Sequence, residues 1–160
     1  MTQEHQIQAH GEDAMVALGM QFGQVLAQAD GGGVVFLQGN LGMGKTTFTR
    51  GVLRHFGHQG AAKSPTYTLV EPYELGLYKV NHFDLYRLGH PEELEYLGIR
   101  DYFDEQSINL IEWPDKGQGF LPAADIELTI TSADRGRCLN FVAISDVGCA
   151  LVQQLQAAAP

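Results

Sequence analysis

The sequence predicts an α/β fold: one domain with a mixed, mostly parallel sheet flanked by helices. Three observations predict it. Val34-Val35-Phe36-Leu37 is a short continuous apolar run, the mark of a strand buried on both faces. A glycine-rich loop follows directly, and from Lys45 a helix begins that carries Phe48, Val52, Leu53 and Phe56 on one face. Beyond that point strand-like and helix-like segments alternate, as a partly parallel sheet requires.

Each element has its own signal. Met1 to His10 is polar and lacks the apolar core of a signal peptide. Asp13 to Ala29 reads as an amphipathic helix through Val16, Met20, Val25 and Leu26, and Gly31-Gly32-Gly33 breaks it. The helix from Lys45 stops at Gly57. Thr66 to Glu71 and Leu77 to Phe83 read as two strands around the turn Pro72-Tyr73-Glu74. Pro91-Glu92-Glu93 opens a helix, with proline in the first turn and acids at its positive end, and Gly98 closes it. Ile108-Asn109-Leu110-Ile111 is a second buried strand, closed by Glu112-Trp113-Pro114. Ile126 to Thr131 and Cys138 to Ile144 form a hairpin around Asp134-Arg135-Gly136, and Val147 to Ala158 is the last helix.

Composition narrows the function. The chain has 160 residues, the size of one domain, so a single domain over residues 1–160 is expected. Its formal net charge is −9, with no cluster of adjacent lysines or arginines, which argues against a chain that grips nucleic acid by itself. No apolar run approaches the length of a membrane span, so the cytoplasm is the expected location. Cys138 and Cys149 show no metal-ligand spacing and read as small buried residues.

Gly39-Asn40-Leu41-Gly42-Met43-Gly44-Lys45-Thr46 matches the phosphate-loop pattern G-x-x-x-x-G-K-[ST]. The glycines let successive N–H groups turn toward phosphate oxygens, and the helix from Lys45 adds its positive end. Lys45 would reach the β- and γ-phosphates, and the Thr46 hydroxyl is a hard oxygen ligand for Mg²⁺. The expected ligands are therefore ATP and Mg²⁺, and the fold a single-domain P-loop NTPase.

Such a loop needs a carboxylate from a neighbouring strand end. Asp84 and Glu112 both end apolar strands, where ligands meet open α/β sheets, and either could hold the metal or orient water. Ser64-Pro65-Thr66 lies where many P-loop proteins carry a switch segment. Arg135 and Arg137 flank the hairpin turn, where a solvated turn is the plainer reading, although a guanidinium there could reach a phosphate or a base. His82 reads as a strand histidine with a satisfied ring, and Trp113 as a packed aromatic.

Five segments, in order, carry a resemblance. They are Gly39 to Thr47, Lys63 to Glu71, His82-Phe83-Asp84-Leu85-Tyr86-Arg87-Leu88, Pro91-Glu92-Glu93-Leu94-Glu95 and Ile111-Glu112-Trp113-Pro114. Over nearly its whole length the chain resembles the TsaE family, also called YjeE, the P-loop ATPases of bacterial threonylcarbamoyladenosine (t6A) synthesis on tRNA. The resemblance implies Thr46 and Glu112 as Mg²⁺ ligands and Asp84 near the γ-phosphate, with Thr47 and Ser64-Pro65-Thr66 beside it. It implies Glu12 and Arg137 at the nucleoside end of ATP. It also implies that the chain works with a TsaB–TsaD heterodimer, which modifies adenosine 37 of tRNAs reading codons that begin with A. Contact with tRNA would then be indirect, through that complex. Asn40 stands where the family usually has Asp, and Met43 where it usually has Ala. Nucleotide binding is expected to survive both departures.

Three readings follow. The first is a weak ATPase activated inside an assembly, with Lys45 and Asp84 nearest the chemistry. The second is a nucleotide-dependent clamp in which hydrolysis is incidental. The third is a small-molecule P-loop kinase, made poor by few and scattered arginines. No Asn-Lys-x-Asp motif supports a GTPase. Tyr67, Tyr73, Tyr86 and Trp113 are the aromatics expected to face a partner.

Overall fold

The structure is a computed structural model and describes residues 3–29, 32–60, 62, 65 and 68–158. Ser64, Thr66 and Tyr67 therefore lie outside the described residues, whereas Pro65 is described and buried. Seven strands form one sheet: β1 (Glu4–Ala9), β2 (Gly33–Gln38), β3 (Val70–Leu75), β4 (Tyr78–Asp84), β5 (Ser107–Glu112), β6 (Ile126–Ala133) and β7 (Gly136–Ala143). Their order is β1-β7-β6-β2-β5-β4-β3. The four central strands β6, β2, β5 and β4 run parallel, and the pairings toward both edges are antiparallel. The fold is α/β with a mixed sheet flanked by helices, as the alternating pattern required.

The helices are α1 (Glu12–Gln28), α2 (Lys45–His55), α3 (Glu93–Tyr96) and α4 (Asp146–Ala158). One face of the sheet packs Val35, Leu37, Leu110, Leu128 and Phe141 against α1, α2 and α4. Phe22, Phe48 and Phe141 meet at its centre, with ring centroids 5.3 to 6.2 Å apart. The other face carries a smaller cluster around Phe83, Leu85, Leu94, Ile99 and Ile111. Alternate residues of β4 and β5 serve the two faces, as a strand buried on both sides must.

α1 and α2 touch backbone to backbone. A Cβ built on Gly19 would lie 2.2 Å from the Phe48 carbonyl oxygen, and one on Gly51 2.2 Å from that of Val16. Only residues without a Cβ permit this approach, and it holds the helix that follows the phosphate loop tightly against the core. α4 is N-capped by Ser145, whose Oγ accepts the Gly148 N–H at 3.0 Å and donates to Asp125 Oδ1 at 2.7 Å.

Several expectations are corrected. The polar N-terminus is edge strand β1, paired with β7 from Glu4↔Val142 to Ala9↔Arg137. The hairpin at the far edge turns at Gly76-Leu77, with Leu75 opposite Tyr78, and not at Pro72-Tyr73-Glu74. Pro72 sits inside β3 because an edge strand has one side with no neighbour to receive an N–H, while Gly76 supplies the positive φ (67°) of the turn. The helix opened by Pro91 is a single turn, followed after Gly98 by one 3₁₀ turn (Ile99–Tyr102). Tyr73 is buried in the core and cannot face a partner, and both cysteines are free and only half-buried. Among the described residues no helix is long and apolar enough to cross a membrane.

Candidate nucleotide site

The phosphate loop leaves β2 at Gly39 and enters α2 at Lys45. Gly42 and Gly44 adopt φ of 79° and 108°, which lets the chain curl back before the helix starts. The first intrahelical bond is Phe48 N–H to Gly44 O at 2.9 Å. The N–H groups of Lys45, Thr46 and Thr47 therefore have no acceptor within the helix and point out of its positive end. These features are what an anion-binding loop needs.

Lys45 is only 5% exposed. Its Nζ donates to Gly39 O at 2.6 Å and lies 4.1 Å from the centroid of the Trp113 ring. Burial lowers its pKa, and the charges of Glu112, Asp84 and Asp115 oppose that shift. The ammonium is thus held by a carbonyl and an aromatic face, with three carboxylates near enough to favour its charged form. Trp113 takes φ +56°, outside the usual range for a large side chain, and its ring packs against Tyr86 with centroids 5.0 Å apart and planes tilted by 51°. It is more than a packed aromatic, since it forms the floor beneath the lysine.

Asp84 and Glu112 end adjacent parallel strands and stand opposite one another in register. Burial first, and the charge of Glu112 second, raise the Asp84 pKa. Asp84 Oδ1 accepts the Tyr86 N–H at 3.1 Å. Glu112 is buried, and its Oε2 meets His82 Nε2 at 2.6 Å. The His82 ring is only half satisfied, contrary to the sequence reading, because Nδ1 is buried with no hydrogen-bond partner among the described residues.

Two clefts meet on the loop. The first, about 460 Å³, is lined by Leu41, Lys45, Thr46, Asp84, Glu112 and Trp113 among others. The second, about 650 Å³, is lined by Glu12, Met15, Met43, Arg135 and Arg137 among others. Gly42, Gly44 and Thr47 line both. Lys45, Thr46, Asp84 and Glu112, expected around phosphates and metal, thus gather in one cleft, and Glu12 and Arg137, expected at a nucleoside, in the other. Glu12 pairs with Arg50 of α2, and Arg137 Nη1 donates to the adjacent Gly136 O at 3.0 Å. Arg135 lines the second cleft from φ +61°, so the hairpin turn belongs to the site. Asn40 is exposed and lines a small recess with Trp113. Met43 does not simply turn away. Its sulfur lies 3.6 Å from Ser132 Oγ, and the residue forms part of the second cleft's wall. Met15 was not legible as a site residue, because nothing in helical periodicity marks a side chain that abuts a loop from a neighbouring helix.

The donor set fits a hard cation: the Thr46 hydroxyl and the Asp84 and Glu112 carboxylates are all oxygen ligands. Among the described residues no group of three or more His, Cys, Asp or Glu could hold a metal by itself. Hard oxygens of this kind suit Mg²⁺, which takes one or two protein oxygens and completes its shell with phosphate and water.

A family model described as "Threonylcarbamoyl adenosine biosynthesis protein TsaE" matches residues 9–139. The chain belongs to the TsaE family. It is 50% identical over 139 residues to the tRNA threonylcarbamoyladenosine biosynthesis protein TsaE of Haemophilus influenzae, covering 86% of this chain and 88% of that one. It is 36% identical to the TsaE of Bacillus subtilis, covering 75% of each. Among solved structures, the crystal structure of Bacillus subtilis YdiB superposes with a TM-score of 0.80 at 26% identity, covering 98% of this chain and 97% of that one. The matched span contains the phosphate loop, both strand-end carboxylates and Trp113.

Proposed function

We propose that this TsaE-family chain binds and slowly hydrolyses ATP as the nucleotide-driven component of t6A formation at adenosine 37 of tRNA, acting in the cytoplasm with a TsaB–TsaD complex. The observation that carries the nucleotide reading is Lys45: a nearly buried ammonium, 2.6 Å from a loop carbonyl and near Asp84 and Glu112, lining the cleft of about 460 Å³ at the start of α2. The Lys45 ammonium and the unpaired N–H groups at the start of α2 present positive charge to this cleft, which suits anionic phosphates. The names of the relatives carry the pathway, and the net charge of −9 favours contact with tRNA through protein partners.

The roles follow from position. Lys45 leaves Gly39 O for the β- and γ-phosphate oxygens and spreads the charge that develops on them. The N–H groups at the start of α2 hold the remaining oxygens, with Thr47 beside the γ-phosphate. Thr46 and Glu112 hold Mg²⁺, which when bound neutralises phosphate charge. Asp84, whose pKa is raised by burial, accepts a hydrogen bond from the attacking water and orients it. Glu12, Met15, Arg135 and Arg137 would surround the nucleoside. Pro65, with the neighbouring positions 64 and 66, remains a proposed switch or partner segment, as does Trp113.

The test is binding and turnover together. Lys45→Ala should lose both ATP binding and hydrolysis, while Asp84→Asn should keep binding and lose hydrolysis. Native turnover by Asp84→Asn would remove Asp84 from the chemistry. Full t6A formation with a hydrolysis-dead, ATP-binding variant would favour a clamp over an ATPase.

A further inference from the structure

We propose that His82 is a positioning residue for Glu112: its Nε2–H fixes one carboxylate oxygen so that the other faces the metal in the phosphate cleft. The inference rests on the reading above that Glu112 holds Mg²⁺. His82 lies on β4, opposite Leu110 of β5, and Glu112 is two residues further along β5. The ring therefore reaches diagonally along one face of the sheet to the carboxylate, a spacing long side chains can bridge. The contact is 2.6 Å, and both side chains are shielded, His82 being 0% exposed.

A glutamate rotates freely about its last bond unless something holds it, and its two oxygens then exchange places. An imidazole N–H on Oε2 removes that freedom. Ligand carboxylates are oriented by such outer partners throughout metal sites, and losing the partner weakens metal binding even though every ligand remains. Because Nε2 faces a carboxylate, it is assigned as the protonated nitrogen.

The other ring nitrogen points to function rather than packing. Nδ1 is buried without a hydrogen-bond partner among the described residues. A buried polar atom left unpaired opposes folding, whereas an apolar side chain of similar size would not. As a core residue, then, the imidazole is inferior to leucine. What distinguishes it from leucine is the single bond to Glu112.

The test uses the full chain, ADP as the probe with and without Mg²⁺, and the fluorescence of Trp113, the one tryptophan in the sequence. That ring lies against Lys45, so it reports on the cleft. His82→Leu should bind ADP without Mg²⁺ as the native chain does, while the Mg²⁺ concentration needed to tighten binding rises by roughly 10–100-fold. His82→Gln, whose amide N–H can occupy the Nε2 position, should stay near native. His82→Asn, which is too short, should behave like leucine. If His82→Leu fails to fold, the contrast between Gln and Asn decides. A native Mg²⁺ requirement in His82→Asn, or equal loss in Gln and Asn, would overturn the inference. Loss of ADP binding without Mg²⁺ in both would assign His82 a purely structural role and overturn it as well. A native chain whose ADP binding ignores Mg²⁺ would overturn the metal reading of Glu112 itself, and the inference with it.

Discussion

Placing a methyl group at Gly51 probes the contact that holds the phosphate loop in place. The new Cβ would lie 2.2 Å from Val16 O, 2.9 Å from Gly19 Cα and 3.0 Å from Val16 C, all of them backbone atoms. An ordinary carbon–oxygen contact is about 3.3 Å, so α1 and α2 must separate by roughly 1 Å. No side-chain rotation can absorb this. A gap of that size forfeits about a quarter to a half of the dispersion energy along the interface, which includes the packed rings of Phe22 and Phe48. Overpacking costs about 1–3 kcal/mol, and a backbone clash belongs at the upper end. Alanine returns about 1 kcal/mol through helix propensity, so the net loss is about 2 kcal/mol. At about 2–4 °C per kcal/mol for a chain of this size, Gly51→Ala should lower Tm by about 4–8 °C. Because α2 begins at Lys45, ADP affinity should fall as well. Thermal melts followed by circular dichroism read the first effect and Trp113 fluorescence the second, with the exposed Arg54→Ala on the same helix as control. Gly19→Ala relieves its clash by the same displacement, so the double variant should lose less than the sum of the two singles. A Tm for Gly51→Ala equal to or above native would refute the close-approach argument.

Other predictions follow from the same geometry. Folding raises the Asp84 pKa, so the stability tied to this group is present below the unfolded carboxylate pKa and is lost as pH rises through the folded value. Asp84→Asn should therefore raise the Tm of the ligand-free chain at neutral pH, and the gain should shrink as the solution is acidified, as melts across pH will show. Ser145→Ala removes the cap of α4 and should cost about 1 kcal/mol, read as a Tm lower by about 2–4 °C, with ADP affinity unchanged. Arg137→Ala, at the proposed nucleoside end, should weaken binding of ATP but not of inorganic triphosphate, measured by competition.

The phosphate loop was legible because its chemistry is local: glycine spacing, Lys45 and Thr46 specify a backbone shape within eight residues. Asp84 and Glu112 were legible as strand ends, since buried strands announce themselves by composition. Their register, and the diagonal reach of His82 to Glu112, were not, because pairing between strands distant in sequence leaves no mark in either one. β1 was hidden because its inward positions, His5, Ile7 and Ala9, supply only one strong apolar residue, and its place comes from pairing with β7. Pro72 was misleading in the same way: it signals a turn by propensity, and the edge position of β3 overrides that signal. The second cleft gathers α1, the phosphate loop and the β6–β7 turn, three segments whose meeting only the folded chain reveals.

The most direct test of the central claim is ATP hydrolysis by the purified chain, alone and then with TsaB and TsaD. The account predicts slow, Mg²⁺-dependent turnover alone, strong stimulation by the pair, and loss of both in Lys45→Ala. Turnover that is unchanged by TsaB and TsaD, or that survives Lys45→Ala, would contradict it.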